Sequence, residues 1–266
     1  MHPHLRARLR ALLVALVLLA GSASPGAAQS LTIAAASDLQ GVLPQIVSRF
    51  EAETRQTTRV VFGSSGNFFS QIQNGAPFDL YLSADIDYPR RLEQAGLAEP
   101  GSLYHYATGR IVLWALKEKA ALLGNGLPGL TAAGVKRIAI ANPDHAPYGR
   151  AAVAALRSAG VYDQVRSKLV LGENVSQAAQ FVESGNADVG IIALSIAKIP
   201  AIEQRGTSLD LPASGYPPID QAAVIVKASK LQPAARRFMA FLQTPAIVDL
   251  MRRYGFAADN PPAAAR

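Results

Sequence analysis

From residue 31 to residue 95 the chain alternates short apolar runs with longer amphipathic segments. Apolar runs of this length are typical of buried strands, and the amphipathic spacing is typical of helices that bury one face. The strands are predicted at 31–36, 58–62 and 79–83, and the helices at 39–53, 67–74 and 88–95. This alternation favours an α/β fold with a parallel-rich sheet.

The pattern changes character near 104–109 and then repeats as a second α/β unit. Strands are predicted at 110–116, 137–141, 168–171 and 188–193, and helices at 148–159 and 175–183. A further strand at 221–227 and helices at 233–242 and 245–254 follow. The sequence therefore predicts two α/β domains with a C-terminal return. Its length and its 50% hydrophobic content are sufficient for a large core.

The first 28 residues have the three parts of an export signal. Three arginines precede an uncharged apolar run at 11–20, and small residues lead to a predicted cut before Gln29. The apolar run is too short to span a bilayer, which disfavours an uncleaved anchor. The chain has no cysteine, the residue that a lipid anchor of this type requires. We therefore expect a periplasmic protein, secreted with a cleaved signal peptide at 1–28.

The net charge narrows the choice of partner. The whole chain carries +7, and subtracting the three arginines of the signal, which has no acidic residue, leaves +4. A mild positive charge attracts a small anion. The basic residues are scattered and form no stripe with aromatic residues, so nucleic acid is not an expected partner.

Serine and glycine residues stand at two predicted strand-to-helix junctions of the first unit. Ser37 and Asp38 follow the first strand, where Ser37 is a natural N-cap and Asp38 suits a first turn. Residues 63–66 (GSSG) follow the second strand. In open α/β sheets ligands bind at the carboxyl ends of the strands, and helix N-termini there offer free N–H groups to an anion. The pair of junctions favours a ligand site over two plain helix caps.

The second unit contains two further junctions of this kind. Residues 142–149 (NPDHAPYG) open a helix and bring Tyr148 towards the same ligand from the other side. Residues 173–176 (ENVS) follow the next strand. Each junction is also compatible with an ordinary cap, and His145 is expected in a capped turn with its ring exposed.

Other motifs fail on their context. Residues 124–129 (GNGLPG) match G-x-G-x-x-G, but they contain a proline and lack a preceding strand. Residues 195–198 (SIAK) match S-x-x-K without the K-T-G that should accompany it. The two histidines outside the signal are too few for a histidine-rich metal site. An enzyme is therefore not expected; the alternative is an exported hydrolase with Ser37 or Ser65 as nucleophile and His145 as base.

Five segments, in order and at matching spacing, resemble the periplasmic molybdate-binding proteins of ABC importers. They are 35–39 (AASDL), 61–77 (VFGSSGNFFSQIQNGAP), 78–85 (FDLYLSAD), 142–149 (NPDHAPYG) and 253–256 (RYGF). The resemblance covers nearly the whole chain after the signal.

The resemblance implies a two-lobed, type II periplasmic-binding-protein fold, in which two α/β domains joined by two crossover segments enclose a ligand cleft. It assigns 31–106 plus 221–258 to lobe one, 107–220 to lobe two and 259–266 to a flexible tail. It further implies capture of molybdate, and also tungstate, in the periplasm by a monomer that delivers the anion to an ABC membrane permease. No cofactor and no cationic metal are implied.

The resemblance also implies that an oxyanion is held by Ser37, Ser65, Tyr148 and Val175. The two serines would give hydroxyl and backbone N–H donors, whereas Tyr148 and Val175 would give mostly backbone N–H groups. Additional candidates are the backbone of Asp38, the side chain of Ser64 and position 193.

Some members of that family carry a ligand-contacting tyrosine where this chain has Ala193. Other members carry the tyrosine in the turn that contains Tyr148, so Tyr148 is expected to substitute for it. Its phenol then becomes a candidate contact with the ligand.

Molybdate is a dianion without a proton at neutral pH, so its oxygens only accept hydrogen bonds and a site made of donors suits it. Phosphate carries a proton at pH 7 and requires an acceptor in its site. Asp38 is the one carboxylate near the junctions, and we expect it to point away and cap its own helix. Sulfate, phosphate or another small anion remains the alternative, because the sequence does not reveal the size of the cavity.

Overall fold

The described residues, 29–258 of the computed structural model, build two five-stranded sheets. The predicted signal peptide at 1–28 and the predicted tail at 259–266 lie outside the described residues. No helix within 29–258 is long and apolar enough to cross a membrane.

The first sheet combines strands from both ends of the described chain. Its strands are β1 (Leu31–Ala36), β2 (Thr58–Gly63), β3 (Leu80–Ser83), β4 (Tyr104–Gly109) and β10 (Ile219–Ile225), in the order β2-β1-β3-β10-β4. β1 pairs in parallel with β2 and β3, whereas β10 runs antiparallel to β3 and β4. We call this sheet and the helices packed on it the first lobe.

The second sheet repeats this plan. Its strands are β5 (Ile111–Leu116), β6 (Ile138–Ala141), β7 (Leu169–Gly172), β8 (Val189–Ala193) and β9 (Gly206–Asp210), in the order β7-β6-β8-β5-β9. β6 pairs in parallel with β7 and β8, whereas β5 runs antiparallel to β8 and β9. We call this sheet and its helices the second lobe. The chain enters the second lobe at Arg110 and returns to the first through residues 211–218.

Helices follow most of the strands. They are α1 (Leu43–Thr54), α2 (Ser65–Gln73), α3 (Asp87–Gln94), α4 (Gly126–Gly129), α5 (Pro147–Ser158), α6 (Tyr162–Val165), α7 (Val175–Glu183), α8 (Leu194–Ala197), α9 (Pro200–Arg205), α10 (Gln232–Leu242) and α11 (Pro245–Arg253). Short 3₁₀ turns lie at Ser37–Leu39, Lys117–Leu123, Arg166–Lys168 and Ala213–Gly215.

The α/β fold class is confirmed, but the sheets are mixed rather than simply parallel-rich, because the strands next to the crossovers run antiparallel. Two strands were not predicted: β4 and β9. The first (YHYATG) alternates polar and apolar residues only weakly, and the second (GTSLD) is an exposed edge strand. The predicted lobe limits at 106/107 and 220/221 stay a prediction.

The helix predicted at 39–53 is split in the structure. A 3₁₀ turn covers Ser37–Leu39, and α1 begins only at Leu43. Pro44 explains the late start, because proline has no N–H to donate within a helix and fits only its first turn. The chain after β1 therefore turns tightly beside the sheet edge before the long helix begins.

Gly149 shows how closely the first turn of α5 packs against the end of β6. A Cβ atom at this position would lie 2.2 Å from the carbonyl oxygen of Ala141 and 2.8 Å from its carbonyl carbon. Since both atoms belong to the backbone, a side chain could fit only if the helix moved away from the strand.

We therefore expect Gly149→Ala to lower the free energy of unfolding by about 1–3 kcal/mol, the usual cost of overpacking. Gly124→Ala is the matched control, because a Cβ there would meet nothing closer than 3.6 Å. Urea unfolding of both variants measures the effect, and equal stability of the two variants would contradict the packing analysis.

Candidate functional site

Four strand-to-helix junctions converge where the two lobes meet. β1 leads into the turn Ser37–Leu39 and β2 into α2 in the first lobe, while β6 leads towards α5 and β7 towards α7 in the second. They line a small cavity between the two lobes. The residues around it are Ala36, Ser37, Asp38, Gly63, Ser64, Ser65, Ala84, Ala146, Pro147, Tyr148, Asn174 and Val175.

Backbone N–H groups without an acceptor stand at three of these junctions. Ser65 and Val175 are the first residues of α2 and α7, and Tyr148 is the second residue of α5. The first N–H groups of a helix have no partner inside it. Within residues 29–258 no group accepts a hydrogen bond from these three N–H groups. Three helix N-termini thus present free donors to one cavity.

The neighbouring N–H groups of the same helices are satisfied. Asn174 Oδ1 accepts from the N–H groups of Ser176 and Gln177, both at 3.1 Å. Ser64 Oγ accepts from the N–H of Asn67 at 3.4 Å. Backbone carbonyl groups satisfy the others: His145 accepts from the N–H of Gly66, and Ala146 accepts from those of Gly149 and Arg150. The N–H groups left free in these first turns are the ones that border the cavity.

Two serine hydroxyls add to the donor set. Ser65 Oγ accepts from the N–H of Ala84 at 2.9 Å, and Ser37 Oγ accepts from the N–H of Ser176 at 3.4 Å. Neither hydroxyl donates to another group of the described chain. Because each oxygen already accepts a bond, each hydrogen remains available to an acceptor in the cavity.

Asp38 is the only charged residue that borders the cavity, and no lysine, arginine or histidine is among the lining residues. Its side chain is fully buried. Oδ2 accepts from the Tyr148 hydroxyl at 2.9 Å and from Gln221 Nε2 at 2.6 Å. Oδ1 has no hydrogen-bond partner among the described residues. Burial raises the pKa of Asp38 to about 6, although the bonds from Gln221 and Tyr148 oppose the shift.

The expectation that Asp38 points away and caps its own helix is wrong. Ala36, not Ser37, occupies the N-cap position of the short turn, and no side chain caps it. Since the turn is 3₁₀ and tight, Asp38 faces the second lobe, where Tyr148 donates to it. The main-chain oxygen of Asp38 also accepts from Ser195 Oγ at 2.8 Å.

The Tyr148 hydroxyl is engaged by protein groups. It donates to Asp38 and accepts from Gln221 Nε2 at 3.0 Å. Burial, together with the nearby charge of Asp38, raises the pKa of Tyr148 well above its ordinary value, so the phenol stays protonated and donates. Ala193 ends β8 and does not border the cavity.

His145 is not an exposed ring in a capped turn, because its side chain is only 21% exposed. Nδ1 lies 2.8 Å from Ser64 Oγ in the first lobe, and Nε2 lies 3.7 Å from Glu173 Oε2. Asn67 Nδ2 in turn donates to Glu173 Oε1 across the lobe boundary. The histidine therefore contacts Ser64 and neither Ser37 nor Ser65, the two serines considered as nucleophiles.

Sequence reasoning missed the residues behind the cavity. Gln221 is fully buried, and its Oε1 accepts from the Tyr106 hydroxyl at 2.8 Å. Gly109 passes so close that a Cβ atom there would lie 2.2 Å from the Tyr148 hydroxyl. The one available signal was a lone glutamine at the head of an otherwise apolar run (QAAVIV).

These features define a class of protein: two α/β lobes that surround a small, donor-rich cavity suited to an anion. Within the described residues no group of three His, Asp or Glu side chains is placed to hold a metal ion. The chain belongs to the bacterial extracellular solute-binding protein family, whose match spans residues 31–257.

The named relatives of this chain support its assignment to this family. The molybdate-binding protein ModA of Rhodobacter capsulatus is 38% identical over 258 residues, which cover 94% of this chain and 97% of that protein. The structure of the Azotobacter vinelandii periplasmic molybdate-binding protein has a TM-score of 0.82 at 34% identity and covers 86% of this chain and 100% of that one. The sulfate-binding protein SubI of Mycobacterium tuberculosis H37Rv, with a TM-score of 0.71 at 17% identity and 88% coverage of both chains, shares the fold alone.

The raised pKa of the buried carboxyl group predicts that the free energy of unfolding depends on pH. Asp38→Asn removes the charge but keeps an oxygen that accepts from Tyr148 and Gln221. The pKa of about 6 in the folded protein lies above the ordinary value of 3.8, so the stability from the neutral carboxyl is complete below about pH 4 and is lost as the pH rises through about 6.

Between about pH 4 and pH 8 we therefore expect the wild type to lose about 2–3 kcal/mol of unfolding free energy relative to Asp38→Asn. Urea unfolding of both proteins at several pH values measures this difference. A difference that does not change with pH would show that Asp38 does not titrate with a raised pKa.

Proposed function

We propose that this protein captures molybdate, and also tungstate, in the periplasm and delivers it to an ABC import permease. The free N–H groups of Ser65, Tyr148 and Val175 around one cavity carry the proposal. The relatives named molybdate-binding proteins support the choice of anion. On this proposal the protein is exported with removal of 1–28, acts as a monomer without cofactor or lipid anchor, and has no nucleic-acid partner.

The predicted ligand set is Ser37, Ser65, Tyr148 and Val175, with Asp38 N–H and Ser64 as further candidates. Ser37 and Ser65 contribute hydroxyl donors, and Tyr148 and Val175 contribute N–H groups. Position 193 is not proposed as a contact, because Ala193 lies outside the cavity lining. Helix N-termini stabilise negative charge, and hydrogen bonds to a charged acceptor are the stronger ones, so neutral donors suffice to hold a dianion.

Donors on both lobes give the ligand a means to close the cleft. Ser37 and Ser65 belong to the first lobe, whereas Tyr148 and Val175 belong to the second. An anion contacts both pairs only when the lobes are together, so binding shifts the population to the closed form. We propose that the permease recognises this closed form.

The protein is not proposed to be an enzyme. The serine hydroxyl that contacts the His145 ring is that of Ser64, which is buried and accepts from the N–H of Asn67 as the N-cap of α2. Ser37 and Ser65, the two serines considered as nucleophiles, have no hydrogen bond to this histidine, which a nucleophilic serine requires.

An anion panel tests the choice of ligand. Molybdate and tungstate at about micromolar concentration should each raise the melting temperature, because a ligand that binds only the folded state stabilises it. Sulfate is smaller than molybdate. Phosphate carries a proton, and Asp38, whose Oδ1 has no partner among the described residues, is the one carboxyl group of the cavity lining that could accept it, so phosphate is the stricter competitor in the panel. Stabilisation by sulfate or phosphate but not by molybdate would overturn the assignment.

Substitution of the two serines tests the site. We expect Ser37→Ala and Ser65→Ala each to weaken molybdate binding by about 1–3 kcal/mol, the cost of losing one donor to a charged group. Ser158→Ala, on the exposed end of α5, is the matched control and should bind like the wild type. Titration calorimetry on the folded variants measures the effect, and unchanged affinity in both site variants would refute the site.

A further inference from the structure

A chain of buried hydrogen bonds connects the cavity to both crossover strands. The Tyr148 hydroxyl and Gln221 Nε2 donate to Asp38, and the Tyr106 hydroxyl donates to Gln221 Oε1. All four side chains are buried. Asp38 belongs to the first lobe and Tyr148 to the second, while Tyr106 and Gln221 lie on β4 and β10, next to the points where the chain changes lobes.

The backbone at the crossover packs against this network of hydrogen bonds. Gly109, the last residue of β4, leaves room for the Tyr148 hydroxyl at a point where a Cβ would come within 2.2 Å. The same Cβ would lie 2.7 Å from Gln221 Nε2. The network therefore occupies the hinge side of the cavity, and separating the lobes must break the bond between Tyr148 and Asp38.

The backbone N–H and the side chain of Tyr148 point in different directions. Its N–H borders the cavity and is free, whereas its hydroxyl is turned to Asp38 and Gln221. Asp38 thereby fixes the position of the first turn of α5 relative to the first lobe. An N–H donor contributes to binding only when it is held in place, because a donor displaced by 1 Å forms a much weaker bond.

We propose that Asp38 is a positioning residue for oxyanion capture, which acts through the hydroxyl of Tyr148, and that this hydroxyl does not contact the anion. The inference rests on the proposed function. The side chain of Asp38 thereby has a role separate from that of its backbone N–H. The phenol of Tyr148 links the two lobes and is not a ligand of the anion.

The charge of Asp38 gives the network a second signature. The titratable groups that face its carboxyl group are the phenols of Tyr148 and Tyr106, and the remaining contact comes from the neutral amide of Gln221. The Ser195 hydroxyl donates to the main-chain oxygen of Asp38 and does not contact the carboxyl group. A dianion in the cavity disfavours the ionised carboxyl further. Closure on the anion therefore favours uptake of a proton by Asp38, for which the unpartnered Oδ1 is free.

A double-mutant cycle tests the proposal. The dissociation constant of molybdate is measured at pH 7.5 for the wild type, Asp38→Ala, Tyr148→Phe and the double variant. Each single variant should bind about tenfold more weakly, and the double variant should bind no more weakly than the weaker single one, because both changes break the same link. Tyr162→Phe, on α6, is the matched control and should bind like the wild type.

A phenol that contacts the anion directly gives another result. Tyr148→Phe would then weaken binding as much in the Asp38→Ala background as in the wild type, so the double variant would be about a hundredfold weaker. That outcome overturns the proposal. Melting temperatures of the ligand-free variants identify any that fail to fold, and Asp38→Asn, which keeps the acceptor, should restore binding to within a few-fold.

The pH profile supplies a readout that a purely structural role would not move. Because burial raises the pKa of Asp38 to about 6 and a bound dianion raises it further, wild-type affinity should increase between pH 7.5 and pH 5.5 relative to Asp38→Asn. Parallel profiles would overturn the proposal. A wild type that binds none of molybdate, tungstate, sulfate or phosphate would instead refute the proposed function, and the inference with it.

Discussion

The helix N-terminus is the constraint on which the rest of this structure depends. Its first N–H groups have no partner within the helix, so they must bind water, a capping side chain or a ligand. Here the side chains of Ser64 and Asn174, together with backbone carbonyl groups, satisfy the neighbouring groups. The N–H groups of Ser65, Tyr148 and Val175 stay open to one cavity. The sheet order follows from this requirement, since only strands that end at the same edge bring their helices to a common point.

Convergence of donors from two sheets requires a chain that crosses between them. The crossovers place antiparallel strands, β4 and β10 in the first lobe and β5 in the second, beside strands that are otherwise parallel. Gly109 and Gln221 lie where these strands leave the first sheet, and both touch the network behind the cavity. The crossovers and the site are therefore one connected piece of structure.

Local sequence patterns located the strand-to-helix junctions but not the residues that surround them. Serine and glycine after an apolar strand predict a helix N-terminus wherever they occur, and the structure brings Ser65 and Val175 to the same cavity. The predicted orientation of Asp38 was wrong, because the direction of this side chain depends on Tyr148 and Gln221, which are 110 and 183 residues away in the sequence. A hydrophobic pattern of period two or 3.6 contains no information about such partners. The polar strands β4 and β9 were not predicted for a related reason, because their strand conformation is imposed by pairing within the sheet.

Asp38 is the feature least suited to a site for anions and is therefore the most informative. A buried carboxylate is costly, and one that borders a dianion is more so, unless hydrogen bonds or a proton compensate its charge. An asparagine would accept the same two bonds from Tyr148 and Gln221 without that cost. Retaining an acid here makes the closed form sensitive to protons, whereas the surrounding donors, all backbone N–H or hydroxyl groups, do not titrate in that range. The cavity thus combines donors of fixed charge with a single carboxyl group whose pKa is raised by its burial.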